Sequence, residues 1–323
     1  MGEPVFVSYP VPSPGLEILS EAFEVRVHSE EPPPDADALA HGAEGCRGMM
    51  TLVRDQVDAA LLDRLPGLRA VANYGVGYDN IEVAEATRRG IVVTNTPDVL
   101  TAATADLALA LLLAATRRLG EGERLVRSGR PWAWNPKMML GLELEGATLG
   151  IVGMGRIGMA VAQRAQGFGM KLVYTSRRPH PDADALGARR VTMDELLAAA
   201  DVVSIHVALT AETRHLVDDA ALAKMKPTAY LVNTARGPVV DEAALARALK
   251  SGQIAGAGLD VYEREPQVEP ALLELENVVL LPHLGSATTR ARSEMARVAA
   301  TNLVAALSGE RPANPVNPEV LDR

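Results

Sequence analysis

The strongest constraint on this sequence is the hexapeptide Gly153-Met154-Gly155-Arg156-Ile157-Gly158. It follows the apolar run Thr148–Val152, which predicts a buried strand, and it opens a helical pattern that continues to Phe168. In this setting the first glycine allows a tight turn, the second lets a pyrophosphate approach the backbone, and the third lets helix pack closely on strand. The alternative is a turn that needs glycine for backbone reasons alone. The flanking strand and helix favour a dinucleotide site.

The end of the next predicted strand, Lys171–Thr175, bears on which dinucleotide binds. An NAD site usually has an Asp or Glu there, which accepts a hydrogen bond from the ribose 2′-hydroxyl. This chain has Ser176-Arg177-Arg178 instead, and two guanidinium groups with a hydroxyl can bind a 2′-phosphate. The turn therefore predicts a preference for NADP(H), with NAD(H) possible. The alternative is a solvated basic turn, above all for Arg178.

Composition narrows the possible partners. Among 323 residues, 32 are Lys or Arg and 41 are Asp or Glu, and this acidic balance argues against nucleic acid or an anionic membrane as partner. Cys46 is the only cysteine, which excludes an intrachain disulfide and a cysteine-based metal cluster, and we predict no metal site. No signal-peptide pattern and no apolar run long enough to span a bilayer is visible. We therefore expect a soluble, cytoplasmic protein.

Strand and helix patterns alternate along the chain. Up to about residue 98 they predict a small parallel α/β domain, and six strands from Thr148 onward suit a doubly wound sheet. The segment Val99–Leu119 predicts one long apolar helix. After Ser286 a second long helix and an extended tail are expected to return to the first domain. The predicted domains are residues 1–98 with 287–323, and residues 99–286.

A glycine-rich loop, Gly75-Val76-Gly77, follows a predicted strand of the first domain. Backbone N–H groups of such a loop can bind a carboxylate without a charged side chain, at the strand end where α/β sheets bind ligands. The alternative is a turn that simply requires glycine. We predict the binding role.

Three predicted strand ends of the second domain carry reactive side chains: Arg236, Glu265 and His283. Reduction of a 2-oxoacid needs a guanidinium that binds the substrate and polarises the ketone, and an imidazolium that donates the proton accompanying hydride. Glu265 would orient His283 and stabilise its charged form. Each also has a structural alternative: a helix-cap ion pair for Arg236, a solvated loop residue for Glu265 and a core histidine for His283.

The combined motifs resemble the D-isomer-specific 2-hydroxyacid dehydrogenase family. The resemblance spans nearly the whole chain and is carried by residues 153–158, Asn233–Gly237 (NTARG), 258–266 (GLDVYEREP) and 281–288 (LPHLGSAT). It implies two Rossmann-like, doubly wound parallel-sheet domains, a flavodoxin-like substrate domain and a larger NAD(P)-binding domain, with a cleft between them. Within the family the chain looks closest to the glyoxylate/hydroxypyruvate reductases, through residues 134–138 (WNPKM) and the basic turn.

The resemblance also implies individual roles. Arg236, Glu265 and His283 match the catalytic trio. The positions assigned to the substrate are Leu52, Gly75, Val76, Gly77, Trp134, Arg236, His283 and Ser286. Those assigned to the cofactor are Thr104, Met154, Gly155, Arg156, Ile157, Ser176, Arg177, Arg178, Val207, Ala208, Thr213, Thr234, Ala235, Arg236, Asp260, His283 and Gly285. Relatives form homodimers in which a tryptophan near Trp134 reaches toward the neighbouring active site, and Trp132 competes for that role here. Ala208 stands where the family commonly has Pro, so the adenosine wall is expected to be looser.

We therefore expect NADPH-preferring reduction of glyoxylate to glycolate and of hydroxypyruvate to D-glycerate. Another D-2-hydroxyacid dehydrogenase, of the D-lactate or phosphoglycerate type, is the first alternative. A phosphoglycerate enzyme would want several cations near the substrate loop, where only Arg54 is available. A dinucleotide-sensing, corepressor-like binding protein is a more distant alternative.

Overall fold

The computed structural model describes residues 3–322, and this part of the chain forms two compact units. Unit 1 contains residues 3–100 and 287–322, and unit 2 contains residues 101–286. Residues 1, 2 and 323 of the predicted domain ranges lie outside the described residues.

Unit 1 begins with alternating strands and helices. In chain order they are β1 (Pro4–Val7), α1 (Gly15–Ala22), β2 (Glu24–Val27), α2 (Ala36–Gly42), β3 (Gly48–Leu52), α3 (Ala59–Arg64), β4 (Ala70–Tyr74), α4 (Val83–Arg88) and β5 (Val92–Thr94). The strands form a parallel sheet in the order β2-β1-β3-β4-β5, which is the flavodoxin-like order. Side chains of Asp35 and Asp58 accept backbone N–H groups at the starts of α2 and α3, which fixes where these helices begin.

Unit 2 contains the larger sheet. Its elements are α5 (Thr101–Thr116), α6 (Leu119–Arg127), β6 (Thr148–Val152), α7 (Arg156–Gln166), β7 (Lys171–Thr175), α8 (Pro181–Ala185), β8 (Arg189–Arg190), α9 (Met193–Ala199), β9 (Val202–Ile205), α10 (Asp219–Leu222), β10 (Tyr230–Asn233), α11 (Glu242–Ser251), β11 (Gly256–Leu259), α12 (Pro270–Leu273) and β12 (Val278–Leu280). The parallel sheet has the order β12-β11-β10-β9-β6-β7-β8. The two parallel α/β domains of the predicted fold class are confirmed. The predicted count of six strands was one short, because β8 is two exposed arginines with no apolar signal.

The predicted helix Val99–Leu119 is divided. Helix α5 ends at Thr116 because the Thr116 carbonyl accepts the N–H of Leu142 at 3.0 Å instead of continuing the helical ladder. Arg118 then takes a left-handed conformation with φ of 52°, and α6 starts at Leu119. Although α5 is strongly apolar, no helix within residues 3–322 is long and apolar enough to cross a membrane.

The last described segment completes unit 1. Helix α13 (Thr289–Leu307) contributes Ala296, Leu303 and Leu307 to a buried cluster with β1, β3 and β4. The tail then lies beside β5, where the N–H of Val316 donates to the Val93 carbonyl at 2.7 Å. Unit 1 is therefore built from both ends of the described chain.

Candidate active site

The glycine turn after β6 has the geometry that a dinucleotide pyrophosphate requires. Gly153 has φ of 98°, and a Cβ there would lie 2.6 Å from the carbonyl oxygen of His206. A Cβ on Gly158 would lie 2.1 Å from the carbonyl oxygen of Gly153, so α7 packs directly on the turn. A Cβ on Gly155 would meet no other described atom within 4 Å, so the start of α7 is open to a ligand. The geometry of the three glycines fits a dinucleotide site.

The predicted cofactor residues of this turn occupy different positions. Met154 is buried, whereas Arg156 and Ile157 form the first turn of α7. Across the sheet, Val207 follows β9, and its Cγ1 atom would be 2.8 Å from a Cβ on Gly153. Val207 therefore lies against the glycine turn.

The segment after Val207 is held by one threonine. The Thr213 hydroxyl donates to the Ala208 carbonyl at 2.7 Å and accepts the N–H of Thr210 at 2.8 Å. These bonds lie within the loop, so they fix its shape although Ala208 replaces proline.

The basic turn after β7 is organised by a residue that the sequence did not single out. The guanidinium of Arg190, on β8, donates to the carbonyl oxygens of Ser176 at 2.8 Å and of Arg177 at 3.3 Å. The Ser176 hydroxyl donates to the Arg178 carbonyl at 2.5 Å. Arg177 and Arg178 are exposed. Arg190 offered no sequence signal, because an exposed arginine on a two-residue strand follows no pattern.

The catalytic candidates follow three strands that are adjacent in the sheet, β10, β11 and β12. Nδ1 of His283 lies 2.8 Å from Oε2 of Glu265, and both side chains are about one-third exposed, at 34% and 32%. The other carboxylate oxygen of Glu265 accepts the N–H of Tyr262 at 3.0 Å. Unit 2 therefore brings these two predicted residues together.

Arg236 belongs to the same electrostatic environment. Burial alone would raise the pKa of Glu265, but the hydrogen bond and charge of His283, the Tyr262 N–H and the charge of Arg236 outweigh it, and the pKa is lowered. The Arg236 guanidinium also donates to the Ala235 carbonyl at 2.9 Å. A half-buried cation therefore lies near the His–Glu pair.

The loops that carry the trio are packed against each other. A Cβ on Gly237 would lie 1.8 Å from the carbonyl carbon of Tyr262, so only glycine fits where the Arg236 loop meets the Glu265 loop. The Tyr262 hydroxyl donates to the Leu281 carbonyl at 2.8 Å, two residues before His283. Tyr262 thus contacts the segments on both sides and was missed from the sequence, where it reads as an ordinary core aromatic.

Asp260 organises the loop after β12. Its carboxylate accepts the N–H groups of Leu284 at 2.6 Å and of Gly285 at 2.8 Å, and its carbonyl accepts the N–H of His283 at 2.8 Å. Burial raises the pKa of this carboxyl even though both backbone bonds and the charge of His283 oppose the shift. Thr104 on α5 donates to the Gly285 carbonyl at 3.1 Å. The predicted cofactor residues Thr104, Asp260 and Gly285 are therefore in one cluster beside His283.

Residues Thr234 and Ala235 lie between β10 and Arg236. The Asn233 side chain accepts the N–H of Ala235 at 3.0 Å and donates to the Arg236 carbonyl at 2.9 Å, which fixes the turn. Among the described residues, the buried Thr234 hydroxyl has no hydrogen-bond partner. A buried hydroxyl without a partner suits a ligand contact.

The predicted substrate loop belongs to unit 1. Its three carbonyl oxygens are all engaged: that of Gly75 accepts from Thr96 N–H at 3.0 Å, that of Val76 from Asn95 Nδ2 at 2.8 Å, and that of Gly77 from Asn73 Nδ2 at 2.7 Å. The N–H groups of Val76 and Gly77 have no acceptor within residues 3–322. The loop therefore offers donors for an anion.

The remaining predicted substrate residues are Trp134, Ser286 and Leu52. Trp134 is 78% exposed and Trp132 is 56% exposed, on an irregular segment between α6 and β6 of unit 2. Ser286 is partly exposed three residues after His283. Leu52, at the end of β3 in unit 1, is also partly exposed.

Comparison with known proteins identifies relatives of this arrangement. Residues 109–285 match the family model described as D-isomer specific 2-hydroxyacid dehydrogenase, NAD binding domain. The chain is 50% identical to a glyoxylate reductase of Thermococcus litoralis, over 98% of this chain and 97% of that protein. The crystal structure of the TT0316 protein from Thermus thermophilus is similar with a TM-score of 0.90 and 48% identity, covering 97% of this chain and 99% of the other.

A further solved structure contains a cofactor. It is an NADPH-dependent glyoxylate/hydroxypyruvate reductase from Sinorhizobium meliloti in complex with NADP and malonate, with a TM-score of 0.86 and 38% identity over 98% of this chain and 97% of the other. Together with the matched NAD-binding domain, it supports a nicotinamide dinucleotide as the cofactor of this chain.

Proposed function

Because this chain belongs to the D-isomer-specific 2-hydroxyacid dehydrogenases, we propose that it reduces glyoxylate to glycolate and hydroxypyruvate to D-glycerate, with NADPH as the preferred cofactor. The observation that carries the proposal is the hydrogen-bonded His283–Glu265 pair beside Arg236, at neighbouring strand ends of a dinucleotide-binding unit. The names of the relatives support glyoxylate as the substrate.

His283 is the proposed proton donor. Since its Nδ1 atom bonds to Glu265, Nε2 is the ring nitrogen left to face a substrate. A bound reduced nicotinamide would supply the hydride that the carbonyl carbon receives. His283 gives a proton to the carbonyl oxygen as the carbon–oxygen double bond becomes a single bond, and the product is a 2-hydroxyacid. Glu265 stabilises the imidazolium before the transfer.

Arg236 and the Gly75–Gly77 loop are the proposed binding groups. The planar guanidinium of Arg236 binds the oxoacid and polarises its carbonyl. The N–H groups of Val76 and Gly77 bind the substrate carboxylate, since the carbonyl oxygens of this loop are already engaged by Thr96, Asn95 and Asn73.

The NADPH preference rests on the basic turn. The exposed guanidinium groups of Arg177 and Arg178 can form charge-assisted hydrogen bonds with a 2′-phosphate, and Arg190 holds the backbone of the turn in place. No carboxylate stands at the end of β7 to accept the 2′-hydroxyl of NAD.

Initial rates with a panel of 2-oxoacids test the proposal. Glyoxylate, hydroxypyruvate, pyruvate and phosphohydroxypyruvate are each offered with NADPH and with NADH, and the reaction is followed at the absorbance of the reduced cofactor. We expect glyoxylate and hydroxypyruvate to give the highest kcat/KM. We expect NADPH to exceed NADH by about tenfold or more, as one charge-assisted contact implies. No turnover with any oxoacid would contradict the proposed reaction, and an NADH preference would contradict the cofactor assignment.

A homodimer in the cytoplasm is the proposed state of the protein. Support for the dimer comes from the exposed apolar side chains of Val126, Trp132, Trp134 and Leu140, which are unusual on the surface of a monomer. Sedimentation equilibrium on the purified protein tests it, and a monomer at micromolar concentration would contradict it.

A further inference from the structure

A chain of buried amide side chains lies beneath the substrate loop of unit 1. Asn73 and Asn80 are 0% and 4% exposed, respectively. The Asn73 amide donates to the Gly77 carbonyl at 2.7 Å, and its oxygen accepts from Thr51 Oγ1 at 3.2 Å and from Asn80 Nδ2 at 3.3 Å. Hydrogen bonds of Asn73 therefore connect the interior of unit 1 to the loop that carries the Val76 and Gly77 N–H groups.

Asn80 joins this loop to a second one. Besides Asn73, its Nδ2 atom lies 3.2 Å from the Leu52 carbonyl and 2.9 Å from the Asp55 carbonyl. The Asn80 amide thus contacts the last residue of β3 and the loop that follows it. It also contacts the Asn73 side chain, which holds the loop after β4. Leu52 and residues 75–77 are the positions of unit 1 assigned to the substrate.

Buried hydrogen bonds of Asp55 also fix the loop after β3. The Asp55 carboxylate is 2% exposed and accepts the Ser8 hydroxyl and, at 2.7 Å, the Leu52 N–H. The two loops also touch, because a Cβ on Gly75 would lie 2.3 Å from Cγ1 of Val53. A shift of either loop would therefore have to break buried hydrogen bonds or separate packed atoms.

We propose that Asn73 and Asn80 are positioning residues for the 2-oxoacid: their amides hold the two substrate loops in register, so that the N–H groups of Val76 and Gly77 point at one carboxylate. This proposal rests on the proposed function. Neither asparagine touches the substrate, and both act through the backbone. Removal of either amide leaves the backbone carbonyl groups that it bonds without a donor. The loops must then move to regain hydrogen bonds. A displacement of about 1 Å in a binding group can cost on the order of a hundredfold in rate.

The test is steady-state kinetics of the full-length variants Asn73→Ala and Asn80→Ala. We expect the KM for glyoxylate to rise by about tenfold or more in each, since the carboxylate donors are displaced. The KM for NADPH should stay within about twofold, because the hydrogen bonds of Asn73 and Asn80 all lie within unit 1, whereas the predicted cofactor residues belong to unit 2. The double variant should raise the glyoxylate KM by less than the product of the two single effects, because the residues act in one chain of contacts.

The matched control is Asn317→Ala. Asn317 is also fully buried in unit 1, and its side chain bonds to Val93, Thr87 and Ile91 with no contact to either substrate loop. It should lower the thermal midpoint as much as Asn80→Ala does while leaving the KM for glyoxylate unchanged. If Asn317→Ala raises that KM equally, the effect is general loosening of unit 1 and the proposal is overturned.

Other outcomes separate this proposal from the proposed function. Wild-type protein that reduces no 2-oxoacid refutes both. Active wild type with an unchanged glyoxylate KM in Asn73→Ala and Asn80→Ala refutes only the positioning role. If those variants do not fold, Thr51→Val decides instead, because it removes a single hydrogen bond to Asn73. A selective rise in the glyoxylate KM then supports the proposal, and an unchanged KM overturns it.

Discussion

Nδ1 of His283 and Oε2 of Glu265 are 2.8 Å apart, although 17 residues separate them in the chain. The contact exists because β11 and β12 are adjacent and parallel, so the loops at their carboxyl ends emerge side by side. His283 has φ of 55°, a conformation that is uncommon for residues other than glycine. The Asp260 carbonyl and carboxylate bind the N–H groups of residues 283–285 and stabilise that conformation.

Removal of the imidazole should abolish most turnover. We expect His283→Ala to lower kcat by about 10²–10⁴-fold, the usual contribution of a positioned general acid. His215→Gln is the matched control, because His215 forms a similar pair with Glu263 at 3.0 Å in the same unit. Turnover in His283→Ala close to that of wild type, measured with saturating glyoxylate and NADPH, would contradict the proton-donor role.

Replacement of Glu265 by Gln should change the pH profile. The carboxylate favours the imidazolium, so without its charge the rate of reduction should fall off at a lower pH on the alkaline side. On the acid side, the pKa of Glu265 lies below its ordinary value of 4.5. The stabilisation from its ionised form is therefore present above pH 4.5 and is lost as the pH falls through the folded value. Rate profiles of wild type and Glu265→Gln between pH 3 and 9 check both limbs, and superimposable profiles would exclude the proposed coupling.

Arg236→Lys tests whether binding of the oxoacid needs the two parallel N–H donors of a guanidinium group. Lysine keeps the charge but lacks the planar, two-pronged geometry, so kcat/KM for glyoxylate should fall by about 10- to 100-fold. Arg247→Lys on α11, where Arg247 forms an exposed ion pair with Asp219 of α10, should leave kcat/KM unchanged. An Arg236→Lys variant as active as wild type would show that charge alone suffices.

Ser176→Asp should weaken the NADPH preference. A carboxylate at the end of β7 repels a 2′-phosphate and accepts a hydrogen bond from a 2′-hydroxyl. We expect the ratio of kcat/KM with NADPH to that with NADH to fall by about tenfold or more. Ser308→Asp adds the same charge at an exposed position of unit 1 and should leave the ratio unchanged. An unaltered ratio in Ser176→Asp would place the 2′-phosphate elsewhere.

Local patterns predicted the elements that are buried and periodic. Strands β6 and β7 were predicted with the observed bounds, because their apolar runs end at clear glycine or polar signals. Strand β8 and helix α4 were missed, since two exposed arginines and a six-residue helix with one buried residue carry no periodic pattern. The break in the helix at Arg118 depends on a distant partner, Leu142, which local reasoning cannot supply.

The residues of the candidate site also divide into those that the sequence predicted and those that it did not. Arg236, Glu265 and His283 could be chosen because reactive residues at successive strand ends have a topological meaning before any coordinates are known. Asn80 and Asn73 could not, because an asparagine near glycines predicts a turn, and only the folded unit shows that these two are buried and bonded to each other. Arg190 was missed because its importance comes from the carbonyl groups it meets.

The construction of unit 1 from residues 3–100 and 287–322 has a consequence for biosynthesis. The polypeptide leaves the ribosome with its amino terminus first. Every strand of the seven-stranded sheet lies within residues 148–280, so unit 2 can fold before α13 has been translated. Until Ala296 and Leu303 of α13 arrive, only α1 packs on the apolar face of the five-stranded sheet that both helices share, and the rest of that face stays exposed. The nascent protein must therefore keep its first hundred residues from aggregating until α13 has been translated.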